Sequence, residues 1–271
     1  MYLDVIRNSS LKEWRLNRMD NLFNMKDKVV CIIGGTGLIG SALVDAFAKR
    51  GACVHVGTRF PKKHTSRKRR IAFIEVDIRY TKSIKNFIHT VTRGGKKIDV
   101  WVNCAFPRHQ GCVGTIEKAR YEFVSDELNS HLMGFYRCCC EVLMYMKKSK
   151  HGVIINLGSI YGDLSPDFRI YKDTEIPIMP AYPMIKGGIH AFTKYLACYA
   201  APFNIRVNAV CPGGVLNKHS VLFQKQYSNR IPMRRMAHAE EIVGPVIFLA
   251  SAASSYITGH LLYVDGGLHA W

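Results

Sequence analysis

Acidic side chains are scarce. The 271-residue chain carries 20 Asp plus Glu against 38 Lys plus Arg, a formal charge of +18. That excess favours contact with phosphate-rich partners and makes such contact salt-sensitive. No zinc-finger, homeodomain or RNA-recognition motif accompanies it, however. The basic residues are scattered apart from one run, Lys62-Lys63-His64-Thr65-Ser66-Arg67-Lys68-Arg69-Arg70, which reads as a solvated loop and not as a specific nucleic-acid site. Also missing is any uninterrupted apolar stretch of about 18 residues, which excludes a spanning helix. The first residues, Met1 to Arg7, lack the basic end and long apolar segment of a secretory signal. The nine cysteines show no paired C-x-x-C spacing. Cys138, Cys139 and Cys140 are adjacent, and on a helix successive side chains turn by about 100°, so they cannot converge on one metal. Reduced, packed thiols in the cytoplasm are the simpler reading, with no metal site.

What is present is a balance of 48% hydrophobic and 21% charged residues with 22 Gly and 10 Pro, that of a folded globular chain. The length suits one large domain. Residues 1–24 precede the first strand, mix Trp14 with several charges, and read as an extension, either floppy or docked on a partner; residues 25–271 form the domain. From Val29 onward, short apolar runs alternate with longer amphipathic stretches, as in a parallel sheet built from βαβ units. Strands are expected at Val29-Ile33, from Val54, at Ile71-Val76, Val100-Val102, Val153-Ile155, Arg206-Val210 and Leu261-Val264. Leu38, Ile39, Ala42, Leu43, Ala46 and Phe47 recur at helical spacing up to Gly51.

Between the first strand and its helix stands Gly34-Gly35-Thr36-Gly37-Leu38-Ile39-Gly40. A glycine-rich turn in that position brings backbone N–H groups and the positive end of a helix dipole to a pyrophosphate, at a distance that a Cβ would block. Together with Asn103-Cys104-Ala105, Ser159, Tyr182-Pro183-Met184-Ile185-Lys186 and Pro212-Gly213-Gly214, this motif gives the chain five features in one order over Met25 to His269. In this the chain resembles the short-chain dehydrogenase/reductase family. The expected fold is α/β: a single Rossmann-type doubly wound parallel sheet of about seven strands with helices on both faces. The family pattern carries Gly where Leu38 stands, so the turn is slightly altered.

The second strand ends Val56-Gly57-Thr58-Arg59, where an acid would hold the ribose 2′-hydroxyl of NAD. No acid is there. Thr58 and Arg59 would spare a 2′-phosphate repulsion and grip it, so NADP(H) is preferred and NAD(H) remains possible; otherwise Arg59 points to solvent. The resemblance implies that Asp77 reaches the adenine and that Asn103 steadies sheet and cofactor, although each could be an ordinary turn residue. Carried over residue by residue, the implied cofactor contacts are Gly34, Thr36, Gly37, Leu38, Ile39, Thr58, Arg59, Asp77, Ile78, Asn103, Ala105, Tyr182, Lys186, Pro212, Gly213 and Val215. Asn217 stands where the family often has a threonine.

Tyr182 and Lys186 are four apart, so on a helix they share a face. An ammonium about 5 Å away at an effective dielectric near 20 favours phenolate by roughly 3 kcal/mol, enough to draw a phenol from about 10 towards neutrality and make it a proton donor or acceptor. Pro183 directly after Tyr182 is tolerable only if Tyr182 and Pro183 sit in the first helical turn. The resemblance implies that Ser159 donates to the substrate oxygen and that Lys186 holds the nicotinamide ribose; a turn cap is the other reading of Ser159. It also implies an asparagine in the preceding helix, at the position of His131. That histidine is a departure, either relaying a proton or simply packed.

Tyr182 follows Ser159 at a separation of 23, wider than in the family's compact members, and the stretch between them is expected to surround the site. This stretch, and Asn103 to Arg108, are similar to oxidoreductases of bacterial flagellin-glycosylation and legionaminic-acid loci. The resemblance implies a phosphorylated or nucleotide-linked amino sugar, with Arg108 and a lid over Val215 to Arg235 (Lys218, His219, Lys225, Arg230, Arg234, Arg235) suited to an anion. A 3-oxoacyl reductase, a noncatalytic NADP-binding regulator and a nucleic-acid binder are the other readings. Apolar helices around Phe135 to Met146 and Ile189 to Ala200 are expected to pair between subunits as a homodimer or homotetramer.

Overall fold

The computed structural model describes residues 21–64, 70–107, 116–117, 119–174, 176–177 and 179–271. The arm that carries Trp14, the centre of the basic run and Arg108 lie outside the described residues. Seven strands form one parallel sheet: β1 (Val29–Ile33), β2 (Cys53–Thr58), β3 (Ile71–Glu75), β4 (Val100–Asn103), β5 (Gly152–Leu157), β6 (Ile205–Pro212) and β7 (Leu261–Val264). Their spatial order is β3-β2-β1-β4-β5-β6-β7, and every pairing is parallel. β1, β4 and β5 are buried along their whole length, which is why each reads as a continuous apolar run and not as an alternation.

Alternate residues of the strands feed two separate cores. Cys31, Ile33, Trp101, Ile154 and Val207 face one layer, made by α2 (Thr81–Thr92), α4 (Met133–Ser149) and α5 (Ala181–Ala200). Val30, Ile32, Val54, Val56, Val102 and Ile155 face the other, made by α1 (Leu38–Lys49) and α7 (Val243–Ala250). The period-two pleat thus assigns the helices to opposite faces. Remaining helices are α3 (Tyr121–Glu127), which runs into α4 through a π turn at Leu128–Leu132, and α6 (Val221–Ser228) within the lid.

A polar thread crosses the first layer. Trp101 Nε1 donates to Asn103 Oδ1 at 2.7 Å, Asn103 Nδ2 to Asn156 Oδ1 at 2.8 Å, and Asn156 Nδ2 to Thr193 Oγ1 at 2.9 Å. Thr193 in turn donates to Ile189 O at 2.7 Å, so β4, β5 and α5 are locked in register by fully used buried amides. The strand order reverses direction between β1 and β4, and in such sheets the crevice beyond the carboxyl ends of those strands is where ligands bind.

Candidate active site

A cavity of about 510 Å³ opens at that crevice. Its floor is the β1–α1 turn. Gly34 takes φ +84°, and a Cβ there would sit 2.5 Å from Ala105 Cα, so only glycine lets the two strand ends approach this closely. α1 has Gly37 at its N-cap, no side-chain cap and no acidic residue in its first turn. Its first N–H groups therefore keep their capacity for an anionic ligand.

Of the residues implicated by sequence, Gly34, Thr36, Gly37, Leu38, Ile39, Thr58, Arg59, Asp77, Ile78, Ala105 and Val215 border this cavity. Leu38, in the place of the pattern glycine, is 43% exposed and adds an apolar wall. Asn103 and Pro212 border neither this cavity nor the one described next. Asn103 is buried with both amide atoms spent on the polar thread, which leaves it a sheet-steadying part. Asp77 is committed to Arg79, whose guanidinium holds that carboxyl below its usual range at 2.5 Å. Arg79, Phe106, Asn217 and His219 also border the cavity. Sequence reasoning missed Arg79, although its place two residues after Asp77 was a signal. Arg59, just after β2, is in no salt bridge among the described residues, although Glu75 faces Thr58 across the sheet and the Arg59 charge reaches Asp77, and the residues around the cavity fit a dinucleotide.

A second cavity of about 320 Å³ adjoins the first, and Phe106, Val215 and His219 belong to both. Ser159, Tyr182 and Gly213 stand in its wall. α5 begins at Ala181, so Pro183 falls in the first turn and Tyr182 sits at the helix start, as its neighbour demands. Ser159 stands beside the Tyr182 phenol and draws its pKa down, and the Ser159 Oγ accepts from Tyr161 N at 3.2 Å. Lys186, one turn on, is buried and donates from Nζ to Leu157 O at 2.8 Å, with Nζ 5.6 Å from the Tyr182 ring centre.

The phenol expected near neutrality is not found in the protein alone. Burial pushes Tyr182 up, partly offset by the Ser159 hydrogen bond, and burial pushes Lys186 down to about 8. Counting only the attraction between the two groups omitted the cost of desolvating either charge.

His131 lies in the π turn and is completely buried, with its ring edge-on to Phe106 at 5.0 Å and to Phe135 at 5.2 Å. Neither ring nitrogen has a hydrogen-bond partner among the described residues, and burial, helped by the Lys186 charge, holds the imidazole well below its ordinary value. It borders neither cavity, but Phe106 connects it to Tyr182, 5.8 Å away ring to ring.

Two of the lid's cations are paired within the protein. Arg230 pairs with Asp167 at 2.9 Å and Arg235 with Glu241 at 2.6 Å. No Lys or Arg is among the described residues around the second cavity, whose walls are Tyr161, Tyr171, Tyr227, Phe223, Met179 and their neighbours. The lid and the long loop after Ser159 do close over the site as one packed unit. Ile170, Phe223, Tyr227, Ile231 and Met236 form a small core, and Tyr227 Oη accepts from Gly214 N at 2.6 Å. Among the described residues no cluster of three His, Cys, Asp or Glu could hold a metal.

The family model described as enoyl-(acyl carrier protein) reductase matches residues 36–269. The chain belongs to the short-chain dehydrogenase/reductase family. Members of this family are NAD(P)-dependent oxidoreductases acting on CH–OH or C=O groups. The chain is 31% identical over 253 residues to a post-translational flagellin modification protein A from Campylobacter coli, covering 90% of this chain and 98% of that one. It is 30% identical to a 3-oxoacyl-[acyl-carrier-protein] reductase from Chlamydia pneumoniae, covering 89% and 96%. A crystal structure of a short-chain dehydrogenase from Leptospira borgpetersenii with bound NAD+ superposes with a TM-score of 0.82 at 35% identity, covering 90% of this chain and 93% of that one.

Proposed function

We propose that this oxidoreductase is NADP(H)-dependent and interconverts a ring carbonyl and secondary alcohol on a neutral, partly apolar substrate such as an amino sugar. The observation that carries the reading is that Ser159 and Tyr182 stand together in the wall of the smaller cavity, which shares Phe106, Val215 and His219 with the larger one. The larger cavity would hold the nicotinamide cofactor, which would supply or take up the hydride. Ser159 orients the substrate oxygen. Tyr182 passes that oxygen its proton, and Lys186, buried behind it, provides the positive charge that a phenolate needs in a dry site. His131, fully buried and held well below its ordinary value, resists taking up a proton, which favours its reading as a packed residue over the relay. Thr58 and Arg59 favour the 2′-phosphate, and NAD(H) remains a usable alternative, as the bound NAD+ of the Leptospira structure illustrates for a relative.

The aromatic wall of the smaller cavity suits the apolar face of a sugar ring, and the likeness to a flagellin modification protein supports a sugar. A phosphate or nucleotide on that sugar finds no cation among the described residues of this cavity and would extend towards its mouth. The same apolar wall also suits an acyl thioester, so 3-oxoacyl reduction is the second reading. Tyr136, Met144, Tyr195 and Tyr199 are exposed on α4 and α5, which supports a homodimer or homotetramer. The eight described cysteines are all free, in keeping with a cytoplasmic protein, and no helix of the described residues is long and apolar enough to cross a membrane. We assign residues 1–24 to an extension outside the domain of residues 25–271.

The test is consumption of NADPH, followed at the absorbance band of the reduced cofactor, on a panel of keto forms of amino sugars, free, phosphorylated and nucleotide-linked, beside acetoacetyl thioesters. Faster turnover of the sugars is expected. A thioester preferred by a hundredfold would establish the second reading instead.

A further inference from the structure

Directly behind Ser159 is a buried cluster that no step above uses. His190 follows Lys186 by one turn of α5 and is 2% exposed. Its Nδ1 lies 3.3 Å from Asp163 Oδ1, and its Nε2 lies 3.1 Å from Cys211 Sγ and 3.4 Å from the Ser159 backbone nitrogen. A backbone N–H can only donate, so Nε2 must be the acceptor and the ring proton must be on Nδ1, where it is given to Asp163. The Cys211 thiol, kept protonated because burial pushes it up to about 12, is a second weak donor to the same lone pair. The three partners therefore specify one tautomer of a neutral imidazole.

The backbone is shaped around this ring. A Cβ on Gly158 would lie 2.5 Å from His190 Nε2, and one on Gly162 would lie 2.3 Å from Cε1. Only glycine at both ends allows the turn after β5 to wrap the imidazole this closely. Ser159 projects from that turn towards Tyr182.

We propose that His190, fixed in one tautomer by Asp163 and backed by Cys211, is a positioning residue that holds the Ser159–Gly162 turn so that Ser159 Oγ faces the substrate oxygen. The proposal rests on the role given to Ser159 above. It carries a pH dependence, because a protonated ring would present an N–H at Nε2 to the N–H of Ser159. The groups facing the ring are Asp163 on the turn after β5, Lys186 and Lys194 on α5, and Cys211 on β6, with Tyr263 of β7 edge-on at 6.5 Å. Burial and the two lysines oppose the imidazolium, Asp163 favours it, and the balance keeps the ring neutral to below its ordinary value of 6.5.

The experiment compares His190→Leu, His190→Gln and Asp163→Asn with the parent enzyme on its best substrate. Leucine keeps the bulk without an acceptor, and kcat is expected to fall roughly tenfold to a hundredfold, the range for an orphaned buried donor. The KM for NADPH should stay within about twofold, and glutamine, whose side-chain oxygen can accept from Ser159 N, should restore kcat to within about fivefold of the parent. The acid limb of kcat should move to lower pH in Asp163→Asn, where the imidazolium loses its counter-charge, and disappear in His190→Gln. A His190→Leu enzyme with undiminished kcat, or an acid limb at the same pH in Asp163→Asn and His190→Gln, would overturn the proposal. Should leucine prevent folding, those two other variants still decide it. Full turnover by Tyr182→Phe would be a different failure, since it removes the reading of the site while saying nothing of the acid limb.

Discussion

The proposed preference for NADP(H) turns on Arg59. That residue directly follows β2 beside the larger cavity, its guanidinium 5.5 Å from the Phe60 ring centre and in no salt bridge among the described residues. Replacing it with alanine should raise the KM for NADPH about tenfold to a hundredfold, the worth of a charge-assisted contact, and leave NADH within about twofold. An unchanged ratio of the two would remove the phosphate grip. His131 makes a prediction about stability. Its folded pKa lies well below the 6.5 of an unfolded histidine, so the unfolded chain binds the extra proton first and stability is lost as pH falls below 6.5. The midpoint of urea unfolding should fall between pH 6.5 and 5, and less so in His131→Leu; equal falls in both would contradict the assignment of the neutral buried ring. Single residues were legible in sequence where a motif fixed their place, as with Ser159, Tyr182 and Lys186. The pKa of Tyr182 was not, because spacing along a helix reports the neighbouring charge but not the desolvation that outweighs it. His190 was not legible either, since its partners Asp163 and Cys211 lie 27 and 21 residues away along the chain.

At the scale of elements, the seven strands could be read from their apolar runs because both faces of a parallel sheet are covered. The glycine turn could be read because a strand precedes it and a helix follows. The π turn that carries His131 could not, for it is a change of hydrogen-bond register within an otherwise helical pattern. Nor could the neutral second cavity be foreseen: the lid does hold many cations, but Arg230 finds Asp167 in the loop after Ser159 and Arg235 finds Glu241. The polar thread between β4, β5 and α5 is testable at this scale. Thr193→Val keeps the shape but strands the Asn156 Nδ2 donor in the core, at a cost of about 1–3 kcal/mol in urea unfolding. A neutral result would mean that the thread is replaceable by packing.

At the scale of the whole molecule, α4 and α5 present Tyr136, Met144, Tyr195 and Tyr199 to the outside of the sheet layer while their other faces fill the core. Burying such a face between copies removes aromatic area from water. Light scattering is expected to give a dimer or tetramer for the parent and a smaller species for Tyr195→Glu; a monomer in both would contradict the assembly. The proposed chemistry, finally, depends on one hydroxyl. The most direct measurement is kcat of Tyr182→Phe against the parent enzyme on the best substrate of the panel, with NADPH affinity followed by fluorescence titration. A fall of about a hundredfold to ten-thousandfold at unchanged NADPH affinity is predicted, as for loss of a general acid–base group. Retention of more than about a tenth of the parent kcat, well above what that loss permits, would show that the proton travels by another route.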